Sequence, residues 1–298
     1  MGKQNEPLAR SAAGRRAVDR GKELGLSIVL ASQDDAERIG SSLKRIAQFL
    51  DRSRLAAEVI VADDGSGDGI ADEVARWQDR FERLRLVRSD VRRGLGAAAR
   101  TGLLVADGHH VLLAEVGLAA PIEDAGELIE SLAAGADVAI ASRRLDGAYV
   151  RSHRPATRRT AEAVFELAAR VLVPLGPRDL FCGLLAFQRA AARRIAERAR
   201  LERATFAVEW LALAERMGLQ VIECPVRFAH NPAARDSLSW TDFVRIDDLF
   251  KVRSLVRGEQ APMPQPPQKL LEETSFVRLD RRLIEGASAR ARAGAATR

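Results

Sequence analysis

Short apolar runs alternate with stretches whose apolar residues fall three and four apart. Leu26–Ala31, Glu58–Ala62, Leu84–Val87, Val111–Glu115 and Asp137–Ala141 are mostly apolar and end in polar or glycine residues. That is the pattern of strands buried on both faces. Between them, Ile39, Leu43, Ile46 and Leu50 recur at helical spacing, and a helical pattern runs from Ile70 to about Phe81. Gly94-Leu95-Gly96 opens a third helix, and Pro121-Ile122-Glu123-Asp124 starts a fourth with proline in the favoured first turn. Asp34 or Asp35 is placed to cap the first helix. The alternation predicts an α/β fold with a mostly parallel central sheet and helices on both faces.

The second half is less regular. Ala156–Val173 reads as an amphipathic helix with Val164, Phe165, Leu167, Ala168 and Val171 on one side. A strand through Phe187 follows Asp179-Leu180-Phe181-Cys182-Gly183. Helices are expected from Ala190, from Phe206 to Met217 and from Trp240 to Val256, with a strand over Leu219–Phe228. The chain divides into a basic mobile arm over 1–23, an α/β domain over 24–258, a proline-rich linker over 259–268 and a C-terminal region over 269–298. In the last, Leu270–Ile284 is expected as an amphipathic helix and the Arg/Ala tail as disordered.

Composition narrows the partners. The net charge of +6 is carried mostly by arginine, much of it in the two termini. Aromatics are only 5% of the residues, and no aromatic ribbon accompanies the basic ones, which argues against nucleic acid. Cys182 and Cys224 make neither a disulfide framework nor a zinc site. A reducing, cytoplasmic setting is expected. No apolar run approaches the ~18 residues of a membrane span, so the protein is expected to be soluble or peripheral to a membrane.

The chemistry concentrates where strands end. Asp63-Asp64-Gly65-Ser66-Gly67-Asp68-Gly69 follows an apolar run, and ligands in open α/β sheets bind outside the carboxyl ends of strands. Capping of the next helix is the simpler role for any one of these acids. The adjacent pair favours a ligand. Gln33-Asp34-Asp35, Glu115 and Arg143 fall at the same sheet edge. His109 and His110 fall at the opposite one and read as exposed loop residues.

These segments together resemble a family 2 glycosyltransferase, nearest the subgroup that moves a hexose onto a polyprenyl or dolichyl phosphate. The resemblance covers Leu26–Arg257. It rests on the opening strand and turn to Asp35, the acidic loop over Val61–Gly69, and Arg93–Gly102. It rests also on Leu112–Asp124, Ala139–Arg143, Asp179–Phe187, Phe206–Leu211 and Val221–Phe228. It implies a nucleotide-sugar-binding (GT-A type) fold and an inverting hexosyl transfer from a UDP- or GDP-linked donor. Asp63 and Asp64 would meet base and ribose. Gln33, Asp35, Arg100, Glu115 and Arg143 would complete the donor site, and Glu209 and Asp179 are the catalytic candidates.

The sequence departs from the family in one respect above all. The metal-binding Asp-x-Asp motif aligns with Glu115-Val116-Gly117, so one carboxylate is missing. A magnesium or manganese ion held by a diphosphate and Glu115 alone would be held weakly. Family lysines are Leu95, Leu185 and Leu238 here, and an acid is Ala207. The alternative reading is therefore a catalytically inactive relative that binds a nucleotide or a partner protein. A third is a membrane-surface adaptor that uses the basic arms and the apolar face of Ala156–Val173, for which core packing is the simpler account. Glu209 reads more simply as a solvated or N-terminal helix acid, and Cys182 as a small core residue. Sequence leaves the oligomeric state, the sugar and the acceptor open.

Overall fold

The computed structural model describes residues 24–151, 156–173, 175–181, 183–203, 205–229, 246–257 and 274–277. The basic arm, the linker, Cys182, Leu238 and the Arg/Ala tail lie outside them.

The chain order is β1 (Leu26–Ser32), α1 (Ala36–Ser53), β2 (Ala57–Asp63), α2 (Ile70–Arg76), β3 (Leu84–Ser89), α3 (Leu95–Val105), β4 (His110–Glu115), α4 (Ala125–Ala133) and β5 (Val138–Ser142). It continues with β6 (Tyr149–Arg151), α5 (Ala156–Leu172), β7 (Leu184–Gln188), α6 (Arg189–Arg198), α7 (Phe206–Arg216), β8 (Val221–Pro225), β9 (Arg227–Ala229), α8 (Ile246–Arg257) and β10 (Thr274–Val277).

The main sheet runs β10-β3-β2-β1-β4-β7-β5-β8, and β6 and β9 form a separate parallel ribbon. β1, β2, β3 and β4 are mutually parallel, as are β5 and β8. β7 runs antiparallel between β4 and β5. Its first residues therefore reach the edge where β1, β2, β4 and β5 end.

Alternation along β1 explains the layers. Ile28 and Leu30 face one core, shared with Ile39 and Leu43 of α1, Val74 of α2 and Leu128 of α4. Val29 faces the other, shared with Leu103 of α3, Ile195 of α6, Trp210 of α7 and Leu249 of α8. Each of these aliphatic side chains is almost fully excluded from water, which contributes roughly 1.5–3 kcal/mol apiece.

The structure corrects several expectations. The segment expected as a C-terminal helix contains β10, which pairs antiparallel with β3 from Thr274↔Ser89 to Val277↔Leu86. An unfilled hydrogen-bonding edge on β3 overrides the local helical pattern. The helix expected to run to Phe81 stops at Arg76, and a 3-10 turn over Gln78–Arg80 follows. The strand expected over Leu219–Phe228 divides into β8 and β9, which join different sheets. The expected helix over Ala156–Val173 forms as α5, but its apolar residues divide between two faces. Phe165 and Ala169 are buried, whereas Val164, Leu167 and Val171 face solvent. His110 is half-buried at the start of β4, and burial lowers its pKa, whereas His109 is exposed.

Candidate active site

Strand order reverses between β1 and β4, the position at which a crevice opens in doubly wound sheets. Register brings Ser32 level with Asp63 and Ala31 level with Glu115. A crevice of about 720 Å³, counting its solvent-open part, lies beyond these strand ends. Ala31, Asp35 and Arg38 form one side, and Leu113 to Val116 form its floor. Leu95, Phe181, Gly183, Leu185, Phe206 and Ala207 close the other side. Gly183 lies directly against Glu115, and a Cβ there would displace the Glu115 side chain.

The acidic loop lies one strand away. Asp63 folds its own turn: the Ser66 N–H donates to Oδ2 at 3.1 Å, the Ser66 hydroxyl donates to Oδ1, and Arg88 approaches from β3 at 3.5 Å. Gly65 has φ +67°, which this turn demands. Asp64 reaches across to the loop before α3, where the N–H groups of Arg93 and Gly94 donate to it at 2.8 and 2.7 Å. Both carboxylates are buried, and burial raises both pKa values against these hydrogen bonds.

Neither adjacent acid caps a helix. Asp68 does so twice, accepting from Ile70 at the start of α2 and from Ala36 at the start of α1. Asp35 makes no side-chain cap of α1. Its carboxylate accepts from the Ser32 hydroxyl and the Gln33 N–H, both at 3.1 Å, and pairs with Arg38. Asp34 forms a two-pronged pair with Arg92 at 2.7 and 2.8 Å. That pair joins the β1 turn to the loop after β3.

The turn after β4 is tied to α1. The Gly117 N–H donates to the Ser42 hydroxyl at 2.9 Å, and Arg45 donates to the Leu118 carbonyl at 3.1 Å. Gly117 has φ +101°. An aspartate there would occupy backbone space that L-residues disfavour. Among the described residues no group of three or more His, Cys, Asp or Glu side chains is arranged to hold a metal ion. Glu115 is a single carboxylate at a strand end and Gly117 supplies none, whereas a divalent cation takes several oxygen ligands.

Arg143 and Asp179 form a clamp. The Arg143 N–H and Nε donate to Oδ2 of Asp179 at 2.9 and 2.7 Å, and Nη2 donates to Oδ1 at 2.8 Å. Burial pushes the Asp179 pKa up, but the hydrogen bonds and charge of Arg143 outweigh it, and the net shift is downward. The clamp fixes the end of β5 to the segment before β7.

Glu209 is buried rather than solvated. It accepts from the backbone N–H groups of Arg200 and Leu201 at 2.8 to 3.0 Å, and burial raises its pKa. The loop it holds reaches α3, where the Glu202 carbonyl accepts from Gly96 and Ala97 at 2.8 and 3.2 Å. Arg100 donates from Nε to the Ala196 carbonyl of α6 at 2.7 Å. Arg100, Glu209, Arg143 and Asp179 thus stand outside the crevice lining, whereas Asp35 and Glu115 belong to it. Gln33 is half-buried on the turn beside Asp35.

Three of the five positions that depart from the family converge. Leu95, Leu185 and Ala207 line the same crevice as Glu115. Sequence reasoning missed Arg38, Phe181 and Phe206. The signal for Arg38 was present, one helical turn after the strand end. Nothing local marks the two phenylalanines, which reach the crevice from the loop after α5 and from the start of α7.

The fold is a doubly wound α/β sheet with a crevice at its switch point. The Glycosyl transferase family 2 profile matches residues 27–196, more than half of the chain, and the chain belongs to that family of glycosyl-transfer enzymes. Dolichyl-phosphate beta-glucosyltransferase of Drosophila melanogaster is 28% identical over 246 residues, covering 77% of this chain and 74% of that protein. The Dictyostelium discoideum protein of that description is 27% identical, covering 76% and 73%. Among solved structures, glucosyl-3-phosphoglycerate synthase from Mycobacterium tuberculosis in complex with phosphoglyceric acid superposes with a TM-score of 0.59 at 18% identity, covering 83% of this chain and 91% of that one. The mannosyltransferase PcManGT from Pyrobaculum calidifontis, in complex with GDP-Man and Mn2+, gives 0.54 at 20%, covering 85% and 69%. At these identities the structures establish the fold alone.

Proposed function

We propose that this protein transfers a hexose, with inversion, from a UDP- or GDP-linked sugar to a polyprenyl phosphate, without a protein-built metal site. The observation that carries the reading is the Asp63–Asp64 loop, set one strand from a crevice at the β1/β4 switch point. Asp63 and Asp64 receive the base and ribose, beside Gln33 and Asp35. Glu115 faces the sugar. A phosphate acceptor carries its own nucleophile, because its second ionisation lies near pH 6. Its oxygen attacks the anomeric carbon, and the bond to the diphosphate breaks with the electron pair on the leaving oxygen. No general base is needed. That suits a site in which Asp179 and Glu209 are engaged in structural hydrogen bonds. Arg38, which pairs with Asp35, lines the crevice and offsets charge on the leaving group. Arg143 and Arg100 serve as supports for the strand end and for α3.

The apolar wall of Leu95, Leu185 and Ala207 favours a second reading, a relative that binds a nucleotide or a partner protein without turnover. Calorimetry with UDP, GDP and their sugars, with manganese and with chelator, tests both. The transfer reading expects nucleotide binding that is nearly independent of manganese, and diphosphate release when a polyprenyl phosphate is added. Binding without release selects the second reading. No binding of any nucleotide removes the transfer reading and the nucleotide-binding form of the second. Asp64→Ala is expected to weaken nucleotide binding by about 1–3 kcal/mol, the loss of a buried charged hydrogen-bond acceptor.

A further inference from the structure

One wall of the crevice is built from two helix starts that lie far apart in the chain. Leu95 opens α3, and Phe206 and Ala207 open α7. The loop between α6 and α7 holds the two together. Its Glu202 carbonyl accepts from the N–H groups of Gly96 and Ala97 at 2.8 and 3.2 Å and so fills the amino end of α3. The Glu202 carboxylate accepts from Nη1 of Arg93 at 3.1 Å. The fit is close. A Cβ on Gly96 would lie 2.8 Å from the Glu202 carbonyl carbon, from the Leu201 carbonyl oxygen and from Cβ of Phe206, so a side chain there would push the loop away.

This loop is fixed from inside the protein. Glu209, in the first turn of α7, is 4% exposed. Both of its carboxylate oxygens turn back to the N–H groups of Arg200 and Leu201. On the far side, Arg93 and Gly94 give their N–H groups to Asp64 at 2.8 and 2.7 Å. A continuous path of backbone and hydrogen bonds therefore runs from Glu209 through residues 200–202 and 93–97 to the acidic loop. The same path sets Leu95 against Phe206, which packs edge-on to Trp210 with ring centroids 4.8 Å apart. Glu209 itself does not line the crevice.

We infer that Glu209 is a positioning residue: through the 200–202 loop it sets both Asp64 and the wall formed by Leu95 and Phe206. A site held to a fraction of an ångström needs such buried support behind the groups that meet the ligand. That the ligand is a nucleotide sugar rests on the reading above, whereas the coupling between Glu209 and Asp64 does not.

Amide hydrogen exchange of the full chain, resolved by residue, is the first test, on wild type, Glu209→Gln and Glu209→Ala. Glu209→Ala is expected to speed exchange at least about tenfold at Gly96 and Ala97 and also at Arg93 and Gly94. Asp107 and Gly108, at the opposite edge of the sheet, should change by less than about twofold. Glu209→Gln keeps one accepting oxygen and should fall between. Gly96→Ala displaces the loop with Glu209 intact and should reproduce the faster exchange at Arg93 and Gly94. Calorimetry with UDP and GDP is the second test. Affinity should fall at least about fivefold in Glu209→Ala, and Glu209→Gln should restore part of it. Faster exchange confined to Arg200 and Leu201 would overturn the proposal, as would a uniform increase that includes Asp107 and Gly108. Turnover that falls while exchange and nucleotide affinity keep their wild-type values would make Glu209 a catalytic residue and also overturn it. A wild type that binds neither nucleotide would remove the transfer reading and leave the exchange comparison to decide this one.

Discussion

The two ends of β2 each carry a buried acid, and they use it differently. At the amino end, Glu58 is fully buried and accepts from the Ser27 hydroxyl and the Asp107 N–H, both at 2.7 Å, while Arg85 pairs with its other oxygen at 3.0 Å. These partners close the loop before β4, leaving Gly108 packed against Leu26 and Ser27 with no room for a side chain. At the carboxyl end, Asp63 and Asp64 hold two loops in place beside a crevice. Backbone N–H groups supply most of their bonds, and burial leaves both pKa values raised. A buried acid that completes a closed polar network stabilises the fold. One held at a cost beside an open crevice is available to a ligand.

The largest expected effect is at the closed end. Glu58→Ala removes the buried acceptor of the Ser27 hydroxyl and the Asp107 N–H and one of the partners of Arg85, which keeps Val105 and Asp107, and is expected to cost about 4 kcal/mol, read by urea unfolding. Nucleotide affinity of the folded fraction should not change. A cost under about 1 kcal/mol would show that the network is dispensable and would erase the contrast with Asp64.

Asp179→Asn comes next. It leaves Arg143 without its charge partner and is expected to cost about 3 kcal/mol at neutral pH. Because the Asp179 pKa is lowered in the folded protein, its contribution is present above the unfolded carboxylate range. It is lost as pH falls through the folded value. The difference between wild type and variant should therefore shrink on acidification. Asp63 and Asp64 shift the other way. Their contribution is present below the unfolded range and lost as pH rises through the raised folded values. Denaturation midpoints measured from pH 3 to 7 separate the two behaviours, and parallel curves would refute the distinction.

Gly117→Asp probes the metal position itself. With φ at +101°, the new side chain should lower stability by about 1–2 kcal/mol without making nucleotide binding depend on manganese. Manganese dependence in this variant would mean that the turn relaxes and that Glu115 can share an ion.

The smallest effect concerns the sheet edge. Removing the residues after Arg257 deletes β10 and exposes β3. A loss of about 1 kcal/mol, a shift of roughly 2–4 °C for a domain this long, should be visible in a thermal melt. An unchanged melt would mean that β10 contributes only cover.

The hydrophobic pattern by itself determined the alternation of strands and helices and therefore which edge would carry Asp63, Asp64, Glu115 and Arg143. Period two and period three to four are local signals, and one edge of a parallel sheet follows from them. The motif order was likewise sufficient to identify the family. Only tertiary structure decided that Leu95, Leu185 and Ala207 are neighbours, because β7 enters antiparallel and α7 arrives from a distant part of the chain. It alone decided which acids are engaged. Asp179 finds Arg143, and Glu209 finds two backbone N–H groups, through contacts that no local pattern encodes. The fate of α5 was beyond sequence for the same reason. Its apolar residues cover two faces, and which of them meets a core depends on the sheet and helices that surround it.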